Sequence, residues 1–507
     1  MDFHITVNSY MLIEKTMLGE KYMNLVNILK GIDYEIIQGK TDIEINKINY
    51  DSRKVKAFDI FVCIKGYATD GHKYIGKAIE NGAKVVIIQD DIEIKENKIT
   101  IIKCADTRKV LALMGSNYYE NPSSKMKVIG ITGTNGKTTT AFMIKDILEA
   151  NNKRVGLIGT IANYIGSEKI HTERTTPESL ELQELFFEMV NRGVEYCVME
   201  VSSHSLELDR VYGVKFEIGI FTNLTRDHLD FHKTFENYYK AKFKLFERCR
   251  IKVINSDDNY GKQVIKDLND LKADNVYSFS VKEYSNFKAF DEEMGSRNIK
   301  FKLNIENNEQ FILNIPGEYN IYNALGAIVS CFKLGIPNDA IKNGIEKVIV
   351  PGRCERVANE YNLPYEIIID YAHTPDGLDN ILKTAKAFTK GKLISLFGCG
   401  GDRDKVKRPQ MGKISIDMAD VTIITSDNPR SEGPMDIIKD IEVGLNKDKY
   451  IVIENRKEAI KKAINIANEG DVIVIAGKGH ETYQILKNET IHFDEREVVK
   501  EILDSVN

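Results

Sequence analysis

The stretch from Ile129 to Lys145, IGITGTNGKTTTAFMIK, joins an apolar β-branched run to a glycine-containing loop and a helical pattern. In such a strand, loop and helix unit, backbone N–H groups and the helix dipole point at a phosphate group bound at the start of the helix. A lysine at the position of Lys137 reaches the β- and γ-phosphates of a nucleotide, and a hydroxyl at Thr138 ligates Mg²⁺. The stretch therefore predicts a nucleotide-binding α/β domain.

The loop is a variant of the usual phosphate-binding pattern, which has glycine at the position of Ile131. Gly130 and Gly133 flank that position instead. A glycine-rich turn without a ligand is the alternative, but Gly-Lys-Thr after a buried strand favours phosphate binding. The predicted nucleotide-binding residues of the loop and the helix start are Gly133, Thr134, Asn135, Gly136, Lys137, Thr138 and Thr139.

The chain of 507 residues is long enough for two or three domains, each with its own core. Its content of 42% hydrophobic and 29% charged residues is ordinary for a globular protein, which argues against extensive disorder. The net charge of -5, without a local basic patch, argues against nucleic acid as a partner. A small molecule is the expected ligand.

Seven scattered cysteines form no C-x-x-C pair, which argues against a zinc site and against a disulfide framework. No apolar run has the length of a signal-peptide core or approaches the roughly 20 residues of a membrane span. We therefore expect a cytoplasmic protein that is not inserted into a membrane. Residues 1–22 match no motif, and we expect a frayed extension there, with a start at Met23 as the alternative.

The hydrophobic pattern predicts three α/β domains, with boundaries at residues 1–122, 123–348 and 349–507. The first contains DIFVCIKG and YIGKAIENGAKVVIIQDD, and it ends at the turn-rich linker NPSSKMK. Alternating apolar strands and amphipathic helices in the second predict a largely parallel sheet. Buried strands in the third, from EIIIDYA to DVIVIAGKGH, predict a Rossmann-like domain.

Glu200 stands at the end of the apolar strand in VMEVSSHSLELDR. A carboxylate in such surroundings must be paired or bound to a metal. Because parallel strands bring their carboxyl ends together, we expect Glu200 near Thr138, as a second Mg²⁺ ligand. The alternative is a carboxylate satisfied by helix caps or by Arg210.

Lys242 lies on the predicted helix that starts near Thr234, in TFENYYKAKFKLFE. Its neighbours at helical spacing are largely apolar, namely Tyr238, Tyr239, Leu245 and Phe246. Burial there would depress the pKa of the lysine, and the neutral amine could take up CO₂ as a carbamate that a second Mg²⁺ would stabilise. The pattern alone favours the other interpretation, a lysine whose ammonium reaches water. His228, just before this helix, could supply an imidazole ligand.

A series of short motifs follows along the chain, in the order GTNGKTTT, MEVSSHSLELDR, TNLTRDHLDFH, YYKAKFKLF, GEYNIYNALGA, VPGRCERV, DYAHTPDGL, GCGGDRDKVKRPQMG, DNPRSEGP and GKGHE. In this order the chain resembles the Mur ligase family, closest to its tripeptide synthetase type, and the resemblance runs from about Ser52 to Glu481. The resemblance implies a small N-terminal UDP-binding domain, a central P-loop ATPase domain and a C-terminal Rossmann-like domain that binds an amino acid. The family pattern has an acidic residue at Gly433 and aspartate at Asn455, two departures outside the central chemistry.

The resemblance also implies an activity. ATP and Mg²⁺ would drive the addition of meso-diaminopimelate to UDP-N-acetylmuramoyl-L-alanyl-D-glutamate through an acyl phosphate. This is a cytoplasmic step of peptidoglycan precursor synthesis, on which the cell wall, cell shape and cell division depend. The partners would be small-molecule substrates, and the protein is expected to be a monomer.

Site roles carry over from the same motifs. The implied catalytic residues are Lys137, Glu200, His228 and Lys242. The implied metal ligands are Thr138, Glu200, His228 and carbamylated Lys242. The nucleotide would be contacted, beyond the loop, by Asn320, Asn323, Arg353, Asp370 and His373. Ser52 would touch the uridine part, and the muramoyl dipeptide would be held by Thr175, Thr176, Ser202, Ser203 and Arg210. The amino-acid site would consist of Arg403, Asp427, Asn428, Pro429, Arg430, Gly477 and Glu481.

Arg430, in DNPR, predicts which amino acid is added. Meso-diaminopimelate differs from lysine by one carboxylate, and a guanidinium binds a carboxylate with two parallel hydrogen bonds. A lysine-adding variant is the nearest alternative, followed by a ligase similar to folylpolyglutamate synthase. A P-loop regulatory module without ligase activity is the alternative from another class.

Overall fold

The computed structural model describes residues 22–66, 69–172, 174–295 and 297–506, so only Tyr22 of the predicted extension at residues 1–22 is described. The described chain divides into two compact units. The first comprises residues up to Lys127 together with 176–195 and 204–215, and the second comprises 128–175, 196–203 and 216 onwards. The domain boundaries 1–122, 123–348 and 349–507 stay a prediction.

Strands and helices alternate along most of the described chain. The strands are β1 (Met23–Asn24), β2 (Glu35–Gln38), β3 (Glu44–Ile45), β4 (Ile48–Asn49), β5 (Ile60–Val62), β6 (Val85–Ile88), β7 (Thr100–Lys103), β8 (Lys127–Thr132), β9 (Val155–Ile158), β10 (Asn163–Ile165), β11 (Glu168–Ile170), β12 (Tyr196–Glu200), β13 (Phe216–Phe221), β14 (Cys249–Asn255), β15 (Val276–Ser280), β16 (Phe287–Met294), β17 (Ile299–Leu303), β18 (Gln310–Leu313), β19 (Glu355–Val357), β20 (Glu366–Asp370), β21 (Leu393–Phe397), β22 (Val421–Ile424), β23 (Tyr450–Val452), β24 (Val472–Ala476), β25 (Tyr483–Ile485) and β26 (Thr490–His492). The α-helices are α1 (Leu25–Ile28), α2 (Ile75–Glu80), α3 (Thr107–Tyr118), α4 (Lys137–Ala150), α5 (Ser179–Asn191), α6 (Ser203–Glu207), α7 (Leu229–His232), α8 (Phe235–Phe243), α9 (Asn259–Asp270), α10 (Glu318–Lys333), α11 (Asn338–Lys347), α12 (Pro375–Phe388), α13 (Lys407–Met418), α14 (Pro434–Glu442), α15 (Arg456–Ile466) and α16 (Glu495–Val506). Each helix in the described ranges is too short or too polar to cross a bilayer.

The first unit is built on a five-stranded sheet in the order β2, β7, β6, β5, β4. Strands β4 to β7 are parallel, and β2 is antiparallel at one edge. The β6 sequence VVII is buried throughout because both sheet faces are covered. Val85 and Ile87 belong to the core on one face, and Val86 and Ile88 to the core on the other. The predicted strand and helix pattern of this region is confirmed.

The second unit contains an eleven-stranded sheet in the order β11, β10, β9, β12, β8, β13, β14, β15, β16, β17, β18. Its central strands run parallel, as predicted. Antiparallel pairs extend it at both ends, through β9–β10–β11 and β16–β17–β18. These additions were not predicted, because short hairpin strands carry a weak pattern.

A six-stranded sheet in the order β19, β20, β24, β21, β22, β23 completes the second unit. All its neighbouring strands are parallel except β19, which confirms the Rossmann-like prediction. Asp370 and Phe397 both pair with Ala476, and Phe397 also pairs with Ile424. Four strands therefore end in one row, and the loops that follow them start at the same edge, where parallel sheets bind ligands.

Candidate active site

The phosphate loop, residues 133–136, connects β8 to α4. Gly133 (φ +154°) and Gly136 (φ +85°) adopt backbone conformations that favour glycine. A Cβ at Gly133 would lie 1.8 Å from the Thr222 hydroxyl oxygen, and a Cβ at Gly136 would lie 2.2 Å from Asn323 Oδ1. Both positions therefore require glycine, and the loop backbone is packed closely enough to hold one conformation.

Lys137 lies across the phosphate loop. Its Nζ donates to the carbonyl oxygens of Gly133 at 3.0 Å and Thr134 at 2.8 Å. Burial lowers the pKa of Lys137, and the nearby carboxylates of Glu200 and Asp227 oppose that shift. The ammonium therefore stands at the loop, where a phosphate group would lie.

Glu200 lies beside Thr138, as the strand order predicts. The Thr138 hydroxyl is 3.0 Å from both carboxylate oxygens of Glu200, which is only 1% exposed. Thr160, which follows β9, donates to the same carboxylate from its backbone N–H at 2.9 Å and its hydroxyl at 3.1 Å. The Thr160 hydroxyl is also 3.0 Å from that of Thr175. Sequence reasoning missed Thr160, because nothing local indicates that β9 neighbours β12.

Lys242 is buried, with 1% exposure. Its Nζ donates to the Gly133 carbonyl oxygen at 2.7 Å and lies 4.6 Å from the centre of the Tyr238 ring. The interpretation that the pattern alone favoured, an ammonium that reaches water, is therefore wrong. Burial lowers the pKa of Lys242 well below its usual value, and the positive charge of Lys137 lowers it further.

Asp227 and His228 precede α7 and line the same pocket as the phosphate loop. Burial alone would raise the pKa of Asp227, but the nearby His228, His373 and Lys407 outweigh it and lower the pKa to about 2. His228 has a left-handed backbone (φ +53°), and its Nε2 lies 3.4 Å from Asp227 Oδ2. Sequence reasoning missed Asp227, although it stands next to His228.

His232 is a second missed residue. It is buried, its Nε2 lies 2.9 Å from the hydroxyl oxygen of Ser203, and its ring stacks on Tyr238 at 5.0 Å. Ser203 was predicted to hold substrate, and this contact orients its hydroxyl. Ser202 and Ser203 both line the pocket with Glu200 and Lys242.

Asn320 and Asn323 stand at the start of α10, buried next to the phosphate loop. The Asn323 side-chain amide donates to Asn320 Oδ1 at 3.0 Å, and the Asn320 amide donates to the Pro316 carbonyl at 2.7 Å. Both asparagines line the pocket of about 230 Å³ that the loop borders. A second pocket, of about 650 Å³, adjoins Asn323 and the loop, and its volume suits a nucleoside.

Three predicted residues approach the phosphate loop from the C-terminal sheet. Arg353 Nη2 donates to the Thr138 hydroxyl oxygen at 3.2 Å, and its guanidinium lies over the Tyr371 ring. Asp370 is buried, which raises its pKa, whereas Arg353 and the N–H groups of Cys354 and Ala372, from which its carboxylate accepts, oppose that shift. His373 is neutral at neutral pH, because burial, with Lys407, lowers its pKa to about 4.

One further contact joins the loop to α12. The Asn135 side-chain amide donates to Asp376 Oδ2 at 2.7 Å. Together with the contact between Arg353 and Thr138, it ties the start of α4 to the C-terminal sheet.

Arg430 lies in the loop after β22, with a left-handed backbone (φ +53°). Its Nη1 donates to the Gly401 carbonyl at 2.9 Å. Burial lowers the pKa of Arg430, and the nearby Arg403 lowers it further. Arg403 itself is exposed. Two guanidinium groups thus share this end of the sheet, which favours an anionic ligand there.

Polar groups that can orient a ligand stand next to Arg430. The Asn428 amide donates to Glu481 Oε2 at 2.8 Å, and the buried Lys478 ammonium donates to Asn428 Oδ1 and Glu481 Oε2. A Cβ at Gly477 (φ +123°) would lie 2.6 Å from Asp427 Oδ2, so glycine is required there. Lys478 was missed, because a lysine between two glycines looks exposed in the sequence.

Pro429 and the two positions that depart from the family pattern have structural roles. The Pro429 carbonyl accepts from Glu432 N at 3.1 Å. At the two departures from the family pattern, Gly433 is the N-cap residue of α14, and Asn455 caps α15 by accepting from Glu458 N.

In the first unit, the predicted residues Ser52, Thr176 and Arg210 are all largely or partly buried. The Ser52 carbonyl accepts from the Asn81 side-chain amide at 2.8 Å. Arg210 donates to the Thr176 carbonyl at 3.3 Å and forms an ion pair with Glu178 at 2.8 Å. Thr176 and Arg210 are therefore neighbours, as expected if they serve one ligand.

A glycine phosphate loop, a buried carboxylate beside its threonine and a second parallel sheet define a nucleotide-dependent enzyme of several domains. Three family models match the sequence of this chain: "Mur ligase family, catalytic domain" at residues 44–119, "Mur ligase middle domain" at 131–331 and "Mur ligase, glutamate ligase domain" at 352–479. The chain belongs to the Mur ligase family, has its three-domain architecture and is an ATP-dependent ligase.

Two similar proteins and one solved structure carry the name of a single type of Mur ligase. The UDP-N-acetylmuramoyl-L-alanyl-D-glutamate--2,6-diaminopimelate ligase of Clostridium perfringens (strain 13 / Type A) is 64% identical over 483 residues, covering 95% of this chain and 100% of the relative. The enzyme of the same name from Clostridium tetani (strain Massachusetts / E88) is 57% identical, covering 96% and 100%. A solved structure of a protein of that name shares 30% identity and a TM-score of 0.69, covering 96% and 99%.

Folylpolyglutamate synthase of Mycobacterium tuberculosis is similar in fold alone. Its structure with ADP and AMPPCP shares 18% identity and a TM-score of 0.60, covering 73% of this chain and 92% of that one.

Proposed function

We propose that this chain uses ATP to join meso-diaminopimelate to UDP-N-acetylmuramoyl-L-alanyl-D-glutamate by an amide bond. The observation that carries the proposal is the pocket at the phosphate loop, where the side-chain nitrogens of Lys137 and Lys242 converge on the Gly133 carbonyl beside Glu200 and Thr138. A reaction between a carboxylate and the γ-phosphate of ATP brings two anions together, and the Lys137 ammonium, with divalent cations held beside it, would offset their repulsion. The names of the relatives support the choice of substrates.

The residues around Thr138 fit a divalent cation. The Thr138 hydroxyl and the Glu200 carboxylate are oxygen ligands that Mg²⁺ prefers, and they lie 3.0 Å apart in a buried position. We propose that Thr138, Glu200, His228 and carbamylated Lys242 hold two Mg²⁺ ions. When bound, these ions would offset the negative charge of the reacting groups.

The proposed reaction has two steps. The substrate carboxylate attacks the γ-phosphorus of ATP, which forms an acyl phosphate and releases ADP. The amine of diaminopimelate then attacks the acyl carbon, and phosphate leaves. Water would hydrolyse the acyl phosphate, so the contacts of Asn135 with Asp376 and of Arg353 with Thr138 serve to close the site over it.

Nucleotide binding is proposed for the two adjoining pockets, the larger one lined by Asn323 and the smaller one lined by Asn320, Asn323, Arg353 and Asp370. Asn320 and Asn323 would lie near the adenine, Arg353 would contact phosphate, and Asp370 would contact the ribose. The phosphate loop and the start of α4, from Gly133 to Thr139, would bind the phosphate groups through their N–H groups and Lys137.

Selection of the amino acid is proposed for Arg430. Its guanidinium would bind the distal carboxylate of diaminopimelate, which lysine lacks. Asn428 and Glu481 offer oxygen acceptors for the distal ammonium, and Arg403, Asp427, Pro429 and Gly477 would complete the site. Lysine would leave the half-buried guanidinium without a carboxylate, so we expect discrimination against lysine.

The remaining proposals concern the rest of the substrate and the setting. Ser52 would contact the uridine part, and the muramoyl dipeptide would be held by Thr175, Thr176, Ser202, Ser203 and Arg210. We also propose that the enzyme works in the cytoplasm as a monomer, with domain boundaries near residues 122 and 348.

Phosphate release by the purified protein tests the function. If the protein is this ligase, phosphate should be released only when ATP, Mg²⁺, the UDP-dipeptide and diaminopimelate are all present. A product with the mass of the UDP-tripeptide should form at the same time. Release without the acceptors would favour a regulatory module, and equal turnover of L-lysine would favour the lysine-adding alternative. Hydroxylamine should trap the acyl phosphate as a hydroxamate, and failure to detect a hydroxamate would contradict the proposed intermediate.

A further inference from the structure

A buried arginine joins the two loops that carry the Arg430 site. Arg408, on α13, has a fully buried side chain. It donates to both carboxylate oxygens of Glu432, from Nη2 at 2.8 Å and from Nη1 at 3.0 Å, and Nη2 also donates to the Gly400 carbonyl at 3.2 Å. Gly400 belongs to the loop after β21, and Glu432 belongs to the loop after β22. Arg408 therefore bridges the two loops.

Two further contacts lock the same loops together. Glu432 Oε1 accepts from the backbone N–H of Asp402 at 2.6 Å. The Asp402 carboxylate accepts from the Ser431 hydroxyl at 2.5 Å and from the Ser431 N–H at 3.3 Å. Ser431 and Glu432 directly follow Arg430, so the bridge begins one residue from the guanidinium that it would position.

The position of the Arg430 guanidinium depends on the spacing of these loops. Its backbone lies in the left-handed region (φ +53°), which arginine rarely adopts. Its Nη1 binds the carbonyl of Gly401, on the opposite loop. A Cβ at Gly401 would lie 1.9 Å from the Pro429 carbonyl oxygen, so the loops are also in close contact there.

We propose that Arg408 and Glu432 are positioning residues for the choice of amino acid. They hold the two loops at the spacing at which Arg430 binds the distal carboxylate of diaminopimelate through two parallel hydrogen bonds. Neither residue contacts the substrate in this proposal, which rests on the proposed function. A bidentate contact tolerates little displacement, and an error of about 1 Å can cost about a hundredfold in rate.

The chain offers an internal control. Asp440 accepts from Arg408 Nη1 at 2.8 Å, but it lies on α14, outside both loops. The substitution Asp440→Asn removes a charged partner of Arg408 without touching the bridge. Glu432→Gln, which is equally conservative, changes the bridge itself.

Steady-state kinetics of the full-length protein test the proposal. For Glu432→Gln we expect the KM for diaminopimelate to rise roughly tenfold, with kcat and the KM values for ATP and the UDP-dipeptide within about threefold. The preference for diaminopimelate over lysine should fall by the same factor. Asp440→Asn should stay within about twofold of wild type in every parameter.

The outcomes separate this inference from the proposed function. A wild-type protein that does not use diaminopimelate would overturn both. If the wild type is active, either of two results would overturn the inference alone. Glu432→Gln could keep the wild-type KM for diaminopimelate and the wild-type selectivity, or Asp440→Asn could show the same changes as Glu432→Gln. Should Glu432→Gln not fold, Ser431→Ala decides, because it loses only an exposed contact. We expect its KM for diaminopimelate to rise about threefold, and an unchanged value would overturn the inference.

Discussion

Lys242 Nζ and the Gly133 carbonyl oxygen are joined by a hydrogen bond of 2.7 Å, and Lys137 Nζ binds the same carbonyl at 3.0 Å. Two lysine side-chain nitrogens thus share one acceptor in a buried position. Burial and the charge of Lys137 both disfavour a protonated Lys242. Conversion of Lys242 to an anionic carbamate would remove the repulsion between the two side chains and place a negative group where a metal ion is proposed.

We predict that activity depends on CO₂ through Lys242. Because the pKa of Lys242 is lowered well below its usual value, a larger fraction of its amine is neutral at neutral pH and can form a carbamate, whereas acid protonates it and removes the carbamate. Protein stripped of CO₂ should lose activity and regain it with bicarbonate, and ¹³C-labelled bicarbonate should give a carbamate NMR signal.

The substitution Lys242→Arg should lower kcat roughly a hundredfold or more. Lys240→Arg, on the exposed side of α8, should change little, and retained activity in Lys242→Arg would contradict the prediction.

A second prediction concerns Glu200. Glu200→Gln keeps an acceptor for the Thr160 N–H but removes the negative charge beside Thr138. We expect kcat to fall roughly a hundredfold and the Mg²⁺ concentration for half-maximal rate to rise roughly tenfold. Mg²⁺ titrations of phosphate release measure both effects. Glu207→Gln, at an exposed position nearby in the chain, serves as the control, and a variant with wild-type Mg²⁺ dependence would rule out Glu200 as a metal ligand.

Loss of the Arg430 guanidinium should reduce the use of diaminopimelate. Arg430→Ala removes a charge-assisted contact worth about 2 kcal/mol, which corresponds to about a thirtyfold lower kcat/KM for diaminopimelate. The kcat/KM for lysine should not fall, since lysine has no distal carboxylate. Arg250→Ala, which removes an exposed guanidinium paired with Glu217, is the matched control. An equal loss for both amino acids would assign Arg430 a general structural role.

The ion pair between Arg456 and Glu495 should stabilise the C-terminal sheet. Both side chains are fully buried, and Arg456 also donates to the Ala476 carbonyl at the end of β24. Glu495→Ala would leave an unpaired buried guanidinium and should cost about 3–5 kcal/mol of stability. The parallel pair of Lys457 and Glu501 joins the same two helices at the surface, so Glu501→Ala should cost about 1 kcal/mol or less. Urea unfolding followed by circular dichroism compares the two, and equal midpoints would contradict the prediction.

A last prediction concerns acid. The hydrogen bonds from Arg408, outweighing partial burial, lower the pKa of Glu432 from 4.5 to about 2. A carboxyl whose pKa is lowered by folding stabilises the native state above its unfolded pKa, and this contribution is lost as the pH falls through the folded value. The difference in unfolding temperature between wild type and Glu432→Gln should therefore be full at pH 6 and shrink between about pH 4.5 and pH 2. A difference in unfolding temperature that stayed constant between pH 6 and pH 2 would contradict this prediction.

Local pattern was sufficient for much of the architecture. The apolar runs before Gly133 and Glu200 predicted two parallel strands, and adjacency of their carboxyl ends predicted that Glu200 lies near Thr138, as observed. The glycines of the phosphate loop were recognised by spacing, and their backbone angles explain why no other residue fits.

Contacts between distant segments were not predictable in this way. Thr160 on Glu200, His232 on Ser203 and Lys478 on Asn428 join residues whose own neighbours in the sequence look ordinary. The burial of Lys242 was also misjudged from its helix alone, since the phosphate loop that covers it comes from residues more than 100 positions earlier.

The sequence by itself determined most of the strands and helices, the glycine positions and the family, because these depend on periodicity, on backbone angles that only certain residues adopt and on the order of short motifs. The tertiary structure alone decided the charge state open to Lys242, the partners of Glu200 and the bridge from Arg408 to Glu432. Those properties depend on the loss of water and on distances of about 3 Å between groups, which arise only when strands and loops from different parts of the chain pack together.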